Sequence, residues 1–117
     1  MSMLEKFGIG IDLVHIQNFL KIPFEENQSF YKNNFTNDEI KYCIQFREPY
    51  EHFAGKFAIK EAVIKSIGKK IPLISIITYH RNSQPCVKIK NNNKYNFKVT
   101  LSHENKFAVA VVVSEET

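Results

Sequence analysis

Tryptophan is missing from this sequence, arginine is confined to Arg47 and Arg81, and glycine and proline occur only four times each. Every other basic residue but histidine is lysine, so the planar fork that reads bases and nucleic-acid phosphates is scarce. Nor do basic residues cluster with stacking aromatics, and nucleic acid is not an expected partner. Cys43 and Cys86 stand far apart, one in a helical and one in a strand pattern, and read as reduced, half-buried packing residues. Neither a reactive-cysteine motif nor a nucleophile elbow is present. No apolar run approaches the ~20 residues of a membrane span and no charged-then-apolar leader opens the chain, so a cytoplasmic protein without a membrane partner is expected.

What is present fits one globular domain over residues 1–117. Hydrophobic residues make up 44% and charged residues 24%, enough for a real but small core. A domain of this size buries roughly two thirds of the surface of its unfolded chain, so oligomerisation is a natural source of further stability. The formal charge of +4 asks for a partner of opposite sign, and charge alone does not choose among nucleic acid, an anionic membrane, a phosphate-rich cofactor and an acidic protein. Lys88, Lys90, Lys94 and Lys98 read as a solvated face.

Hydrophobic spacing divides the chain into elements. Phe7 to Val14 alternates as a strand, with Phe7, Ile9, Ile11 and Leu13 on one face and Gly8, Gly10, Asp12 and Val14 on the other. His15 to Lys21 follows at helical spacing and ends before Pro23. The polar stretch from Glu25 to Gln28 reads as loop, with Phe30 and Tyr31 as anchors. Thr36-Asn37-Asp38-Glu39 matches a capping box that opens a helix to about Phe46. After Pro49 the strongest helical pattern runs from about Tyr50 to Ile67, closed by Gly68. Beyond Pro72 the period becomes two, giving strands at 73–79, 86–90, 95–102 and 107–113. The last of these is apolar on both faces and is expected to be buried on both sides. The fold class is therefore α+β: an N-terminal strand, three helices and then a mostly antiparallel sheet.

Two carboxylates stand out. Glu61 lies on the long helix between the Phe57/Ile64 row and the Ala58/Ala62 row, one turn before Lys65. Flanked by buried rows, it has to pair, bind a cation or face a cleft, and an ordinary ion pair with Lys65 would satisfy it. Asp12 shares its strand face with two glycines, whose missing side chains leave space for a phosphate or a metal; capping of the following helix is the alternative. Two carboxylates on separate elements with a lysine nearby suit Mg²⁺-assisted phosphate chemistry, because Mg²⁺ takes one or two protein carboxylates and completes its shell with water and substrate phosphate.

Three blocks in order are more specific. Gly8-Ile9-Gly10-Ile11-Asp12-Leu13-Val14, then Phe53 through Gly68, then Leu101-Ser102-His103-Glu104 before an Ala/Val strand, resemble bacterial holo-acyl-carrier-protein synthases over essentially the whole chain. The resemblance implies transfer of 4′-phosphopantetheine from coenzyme A to a serine of an acyl carrier protein, supporting fatty acid biosynthesis, with adenosine 3′,5′-bisphosphate leaving. It implies that Asp12 and Glu61 bind Mg²⁺ and that Lys65 contacts the phosphates at the catalytic site. Lys56 would contact coenzyme A, His103 would lie beside it with Leu101 and Ser102, and Asn82, Ser83 and Pro85 would line its adenine end. A homotrimer holding the coenzyme in clefts between protomers is also implied.

The chain departs from that pattern in three places. Lys56 stands where relatives usually carry arginine, which keeps the charge without the bidentate fork. Ser83 replaces a common glycine. The helix after Asp12, which in relatives grips the acidic carrier through arginines, offers only His15 and Lys21 beside Ile16, Phe19 and Leu20. The competing enzyme class is a metal-dependent nuclease, disfavoured because Glu61 and Lys65 are four apart on a helix rather than two apart on a strand. His52 and His80 lack partners at metal-ligand spacing and read as surface or boundary residues.

Overall fold

The computed structural model describes residues 3–117. Strand β1 (Phe7–His15) leads into helix α1 (Ile16–Leu20); α2 (Gln28–Asn34) and α3 (Asn37–Ile44) then precede the long α4 (Pro49–Ile67). A hairpin of β2 (Ile76–Arg81) and β3 (Gln84–Ile89) is followed by β4 (Tyr95–Glu104) and β5 (Phe107–Glu116). The α+β class is as expected, and the structure refines it. The strands form a separate β2–β3 ribbon and a three-stranded antiparallel sheet in the order β1-β5-β4, so the first strand pairs with the last. Strand β2 starts later than its period-two pattern predicts because Leu73–Ser75 make a 3-10 turn.

Helix α2 joins the three helices that spacing predicts. It is too short for periodicity to declare it, and no side chain caps its start. Tertiary packing holds it instead: Tyr31 is fully buried and its hydroxyl donates to the Ile22 carbonyl oxygen at 2.7 Å. Helix α3 begins at the expected capping box, in which the Glu39 N–H donates to Thr36 Oγ1 at 3.1 Å and the Thr36 N–H donates to Glu39 Oε1 at 2.8 Å.

Helix α4 covers one face of the three-stranded sheet. Gly10 pairs with Val112, Asp12 with Ala110 and Val14 with Ala108, and these small β5 residues are fully buried together with Ala58, Ala62 and Val63 of α4. The face carrying Gly8 and Gly10 is not the open space the sequence suggests. A Cβ on Gly10 would lie 2.0 Å from the Ala62 carbonyl oxygen, and one on Gly8 1.7 Å from that of Ser66. Helix backbone, rather than a phosphate or a metal, fills the room the glycines leave.

The opposite sheet face corrects the expectation for the last strand. Strand β5 is buried under α4 on one side only, and Val113 on the other side is 37% exposed. Neighbouring β1 exposes Ile9 at 71%, Ile11 at 59% and Leu13 at 54%, because no second layer among the described residues covers them. Among the described residues no helix is long and apolar enough to cross a membrane.

The backbone contact makes a sharp prediction. Gly10→Ala is expected to destabilise the fold by about 3 kcal/mol, at the upper end of overpacking costs, since only a shift of α4 relieves the clash. Gly68→Ala, at a φ of 68° with nothing within 4 Å of the added carbon, is expected to cost about 1 kcal/mol. Urea unfolding midpoints measure both, and equal losses would contradict the role assigned to the Gly10 contact.

Candidate active site

The same contact brings the two carboxylates together. Gly8 sits on Ser66 and Gly10 on Ala62, so two residues forward along β1 correspond to four residues back along α4. The two steps match in length, about 6.6 Å of strand against about 6 Å of helix. One step further, Asp12 comes level with the turn of α4 that carries Phe57 and Glu61. All three line a cavity of about 370 Å³ whose walls include His15, Phe19 and Phe30.

Lys65 completes this group. Its Nζ donates to Asp12 Oδ1 at 3.0 Å and to the Ile11 carbonyl oxygen at 2.9 Å. The lysine therefore reaches across to β1, and the ordinary Glu61–Lys65 helix pair does not form. Nor does Asp12 cap α1, whose N-cap is His15 and carries no side-chain cap bond. Glu61 is half-buried, and its carboxylate makes neither an ion pair nor a hydrogen bond among the described residues. The donor set suits Mg²⁺: hard carboxylate oxygens from two elements, opening on a cavity with room for water and phosphate. Among the described residues no group of three or more His, Cys, Asp or Glu gathers, so a cage closed by protein ligands alone is not present.

A second cavity, of about 150 Å³, is lined by Tyr42, His52, Lys56, His80, Pro85 and His103, with Leu101 behind them. Lys56 is only 5% exposed. Its Nζ donates to Thr78 Oγ1 at 3.0 Å and lies 4.6 Å from the centre of the Tyr42 ring, and burial lowers its pKa. His103 Nε2 is 3.0 Å from the Glu51 carbonyl oxygen. Of the residues expected at the coenzyme, Lys56, Pro85, Leu101 and His103 thus come together.

Asn82, Ser83 and Ser102 do not join them within one chain. Asn82 and Ser83 form the exposed two-residue turn of the β2–β3 ribbon at φ 52° and 65°, so Ser83 adopts the backbone that favours the glycine it replaces. Ser102 alternates with His103 along β4 and pairs with Val109, which puts it on the uncovered sheet face.

The cavity is also lined by His52, half-buried, and His80, exposed, which agrees with the surface or boundary roles read from the sequence. His52 lies one turn before Lys56, an i, i+4 spacing that could have signalled it. His80 gives no local signal, since only the path of β2 brings it there. His52 stacks on Phe46 with ring centroids 3.8 Å apart, and His80 on Tyr42 at 4.8 Å. Cys43, by contrast, is buried and free, its thiol pushed up to about 12 by burial, and it packs in the core. Lys88, Lys90, Lys94 and Lys98 are exposed.

Residues 8–112 match the model of the 4′-phosphopantetheinyl transferase superfamily. The chain belongs to this superfamily. It is 39% identical over 109 residues to the holo-[acyl-carrier-protein] synthase of Thermodesulfovibrio yellowstonii, covering 91% of this chain and 96% of the relative. Among solved structures it is similar to a holo-(acyl-carrier-protein) synthase from Bacillus anthracis in complex with CoA (3′,5′-ADP), at a TM-score of 0.82 and 26% identity over 94% of this chain and 96% of that one. The synthase of Helicobacter pylori in complex with coenzyme A gives a TM-score of 0.80 and 26% identity over 92% and 99%. The two cavities of this transferase flank the helix that carries its most specific sequence block.

Its histidines are expected to make stability depend on pH. Burial lowers the pKa of His52, with His103 and Lys56 adding to the effect, and burial followed by Lys56 lowers that of His80. The folded chain thus binds fewer protons than the unfolded chain near the ordinary imidazole pKa, so stability is present above about pH 6.5 and falls as pH drops through it. Thermal unfolding between about pH 8 and pH 5.5 is expected to show this loss, and His52→Gln with His80→Gln to flatten it. A wild-type profile that is flat across this window would refute the assignment.

Proposed function

We propose that this chain transfers the 4′-phosphopantetheine group of coenzyme A to a serine of an apo acyl carrier protein, in cytoplasmic fatty acid biosynthesis, with residues 1–117 acting as one domain. The observation that carries the reading is the meeting of Asp12 and Glu61 across one cavity, beside Lys65, in a chain of this superfamily. Relatives named holo-[acyl-carrier-protein] synthase and neighbours with coenzyme A bound support it.

Asp12 and Glu61 would hold Mg²⁺, which when bound neutralises charge on the coenzyme pyrophosphate. Lys65, tied to Asp12 and Ile11, adds a fixed positive charge for the phosphate oxygens beside those carboxylates. The serine oxygen attacks the phosphorus that bears the pantetheine, the bond to the adenosine-bearing phosphate breaks, and adenosine 3′,5′-bisphosphate leaves with the electron pair. The serine proton leaves to a base at this cavity, where the Glu61 carboxylate has no hydrogen-bond partner among the described residues. Lys56, Pro85 and His103 would hold the far end of the coenzyme in the second cavity.

The uncovered sheet face supports a homotrimer. Ile9, Ile11 and Leu13 of β1 with Val109, Val111 and Val113 of β5 form an exposed or half-exposed apolar surface larger than scattered residues would make. Ser102 lies on the same face, so a neighbouring protomer is what would bring it, with Asn82 and Ser83, into a completed coenzyme cleft. Carrier docking rests on α1, which exposes Leu20 at 55% and has no lysine of its own, Lys21 being its C-cap residue, so apolar contact contributes more than charge.

Incubation with an apo carrier protein, coenzyme A and Mg²⁺ is expected to raise the carrier mass by one phosphopantetheine; no gain with a cognate carrier would overturn the reading. Asp12→Ala and Glu61→Ala are each expected to lower kcat by at least about a hundredfold while assembly persists. Near-normal turnover by either variant would remove that residue from the site. In sedimentation equilibrium the wild type is expected at three times the 13.6 kDa chain mass, and Ile11→Lys at the single-chain mass. A wild type that sediments as one chain would exclude the trimer.

A further inference from the structure

Lys56 has an unusual environment. It is almost completely buried, yet no carboxylate lies within ion-pair distance of it: the ion pairs among the described residues are Lys60–Glu39 and Lys65–Asp12. Of its three ammonium protons, one goes to Thr78 Oγ1, and the Tyr42 ring offers a face rather than a lone pair. A buried ammonium left this way is unfavourable unless an anion completes it.

Thr78 holds a fixed orientation. Its hydroxyl donates to Glu39 Oε2 at 2.5 Å, and its backbone N–H donates to the same oxygen at 2.9 Å. Glu39 cannot turn away, because Oε1 accepts from Lys60 Nζ at 2.7 Å and from the Thr36 N–H at 2.8 Å, and the residue is 2% exposed. Lys60 gives its other protons to the carbonyl oxygens of Asn34 and Leu73, at 2.7 and 3.1 Å. The Glu39–Lys60 pair is thus closed and neutral, and neither member is free for an incoming ion. With its proton committed to Glu39, the Thr78 hydroxyl can present only lone pairs to Lys56. The chain of donation runs one way, from Lys56 to Thr78 to Glu39.

We propose that Thr78, oriented by Glu39, is a positioning residue that fixes the Lys56 ammonium at the second cavity, with two protons left for the 3′-phosphate of coenzyme A. This rests on the transferase reading above. Coenzyme A carries phosphate in two places, and the pyrophosphate belongs with Asp12, Glu61 and Lys65, which leaves the 3′-phosphomonoester for the cavity shared by Lys56 and His103. An arginine would bring its own fixed fork; a lysine is a rotating point charge, and its direction has to be imposed from outside. Thr78 imposes it.

The experiment compares coenzyme A with 3′-dephospho-coenzyme A on the whole protein, by calorimetric binding and by carrier-modification kinetics. Thr78→Val, close to isosteric but without an acceptor, is expected to weaken coenzyme A binding and raise its KM about tenfold, with kcat held within about twofold. Binding of 3′-dephospho-coenzyme A is expected to stay unchanged, and Thr78→Ser to restore the wild-type preference. Thr78→Ala reads the same ratio should the valine variant fold poorly. Equal weakening of both ligands, a loss confined to kcat, or no loss at all would overturn the proposal. Wild-type protein that prefers the 3′-phosphate but modifies no carrier would sink the transfer reading and leave this one standing; a protein that modifies its carrier without that preference does the reverse.

Discussion

The contact between the backbone of β1 and the backbone of α4 sets the geometry of everything around it. Gly8 and Gly10 bring strand and helix within a distance that no side chain could share, and the carbonyl oxygens of Ser66 and Ala62 occupy the resulting space. Close approach fixes register, because a strand held this tightly cannot slide along the helix without driving a side chain into a peptide group. Asp12 inherits its position from that register, and so does the reach of Lys65 to β1. The small residues of β5, Ala108 and Ala110, extend the same close layer beneath α4.

A second constraint works through charge. Helix α4 is buried on nearly all sides and yet carries Lys56 and Lys60 inside the protein. Glu39 makes this tolerable by serving two purposes, closing the capping box of α3 and receiving Lys60 and Thr78 in the interior. Burial pushes its carboxyl up, but Lys60 and the hydrogen bonds from Thr78 and Thr36 outweigh this and hold it below the ordinary range. One carboxylate thereby ties α3, α4 and β2 into a single polar core.

Much of this was legible in the sequence, for identifiable reasons. Period-two and helical spacing placed β1 and α4, and the capping box placed the start of α3, because these signals are local. The meeting of Asp12 and Glu61 rested on the three sequence blocks taken together, since neither carboxylate is distinctive alone. The glycine-bearing face was misread because periodicity tells which residues share a face and not what approaches it. Helix α2 was missed because its order comes from Tyr31 and not from its own pattern. His80 and Thr78 were silent for the same kind of reason: both sit on β2, and only the path of the chain carries them to Tyr42 and Glu39. The resemblance set Ser102 beside His103, and strand alternation puts the two on opposite sheet faces within one chain.

Strand β1 has one further property that its alternation imposes. Asp12 faces α4 while its immediate neighbours Ile11 and Leu13 point to the uncovered side, so the carboxylate and the apolar surface are opposite sides of the same few peptide units. Whatever covers Ile11 and Leu13 also stiffens the backbone that carries Asp12. If a second protomer is that cover, as proposed above, dilution would be a chemical variable for this fold: stripping the cover would loosen the aspartate at the same moment, with no change to any residue of the cavity itself.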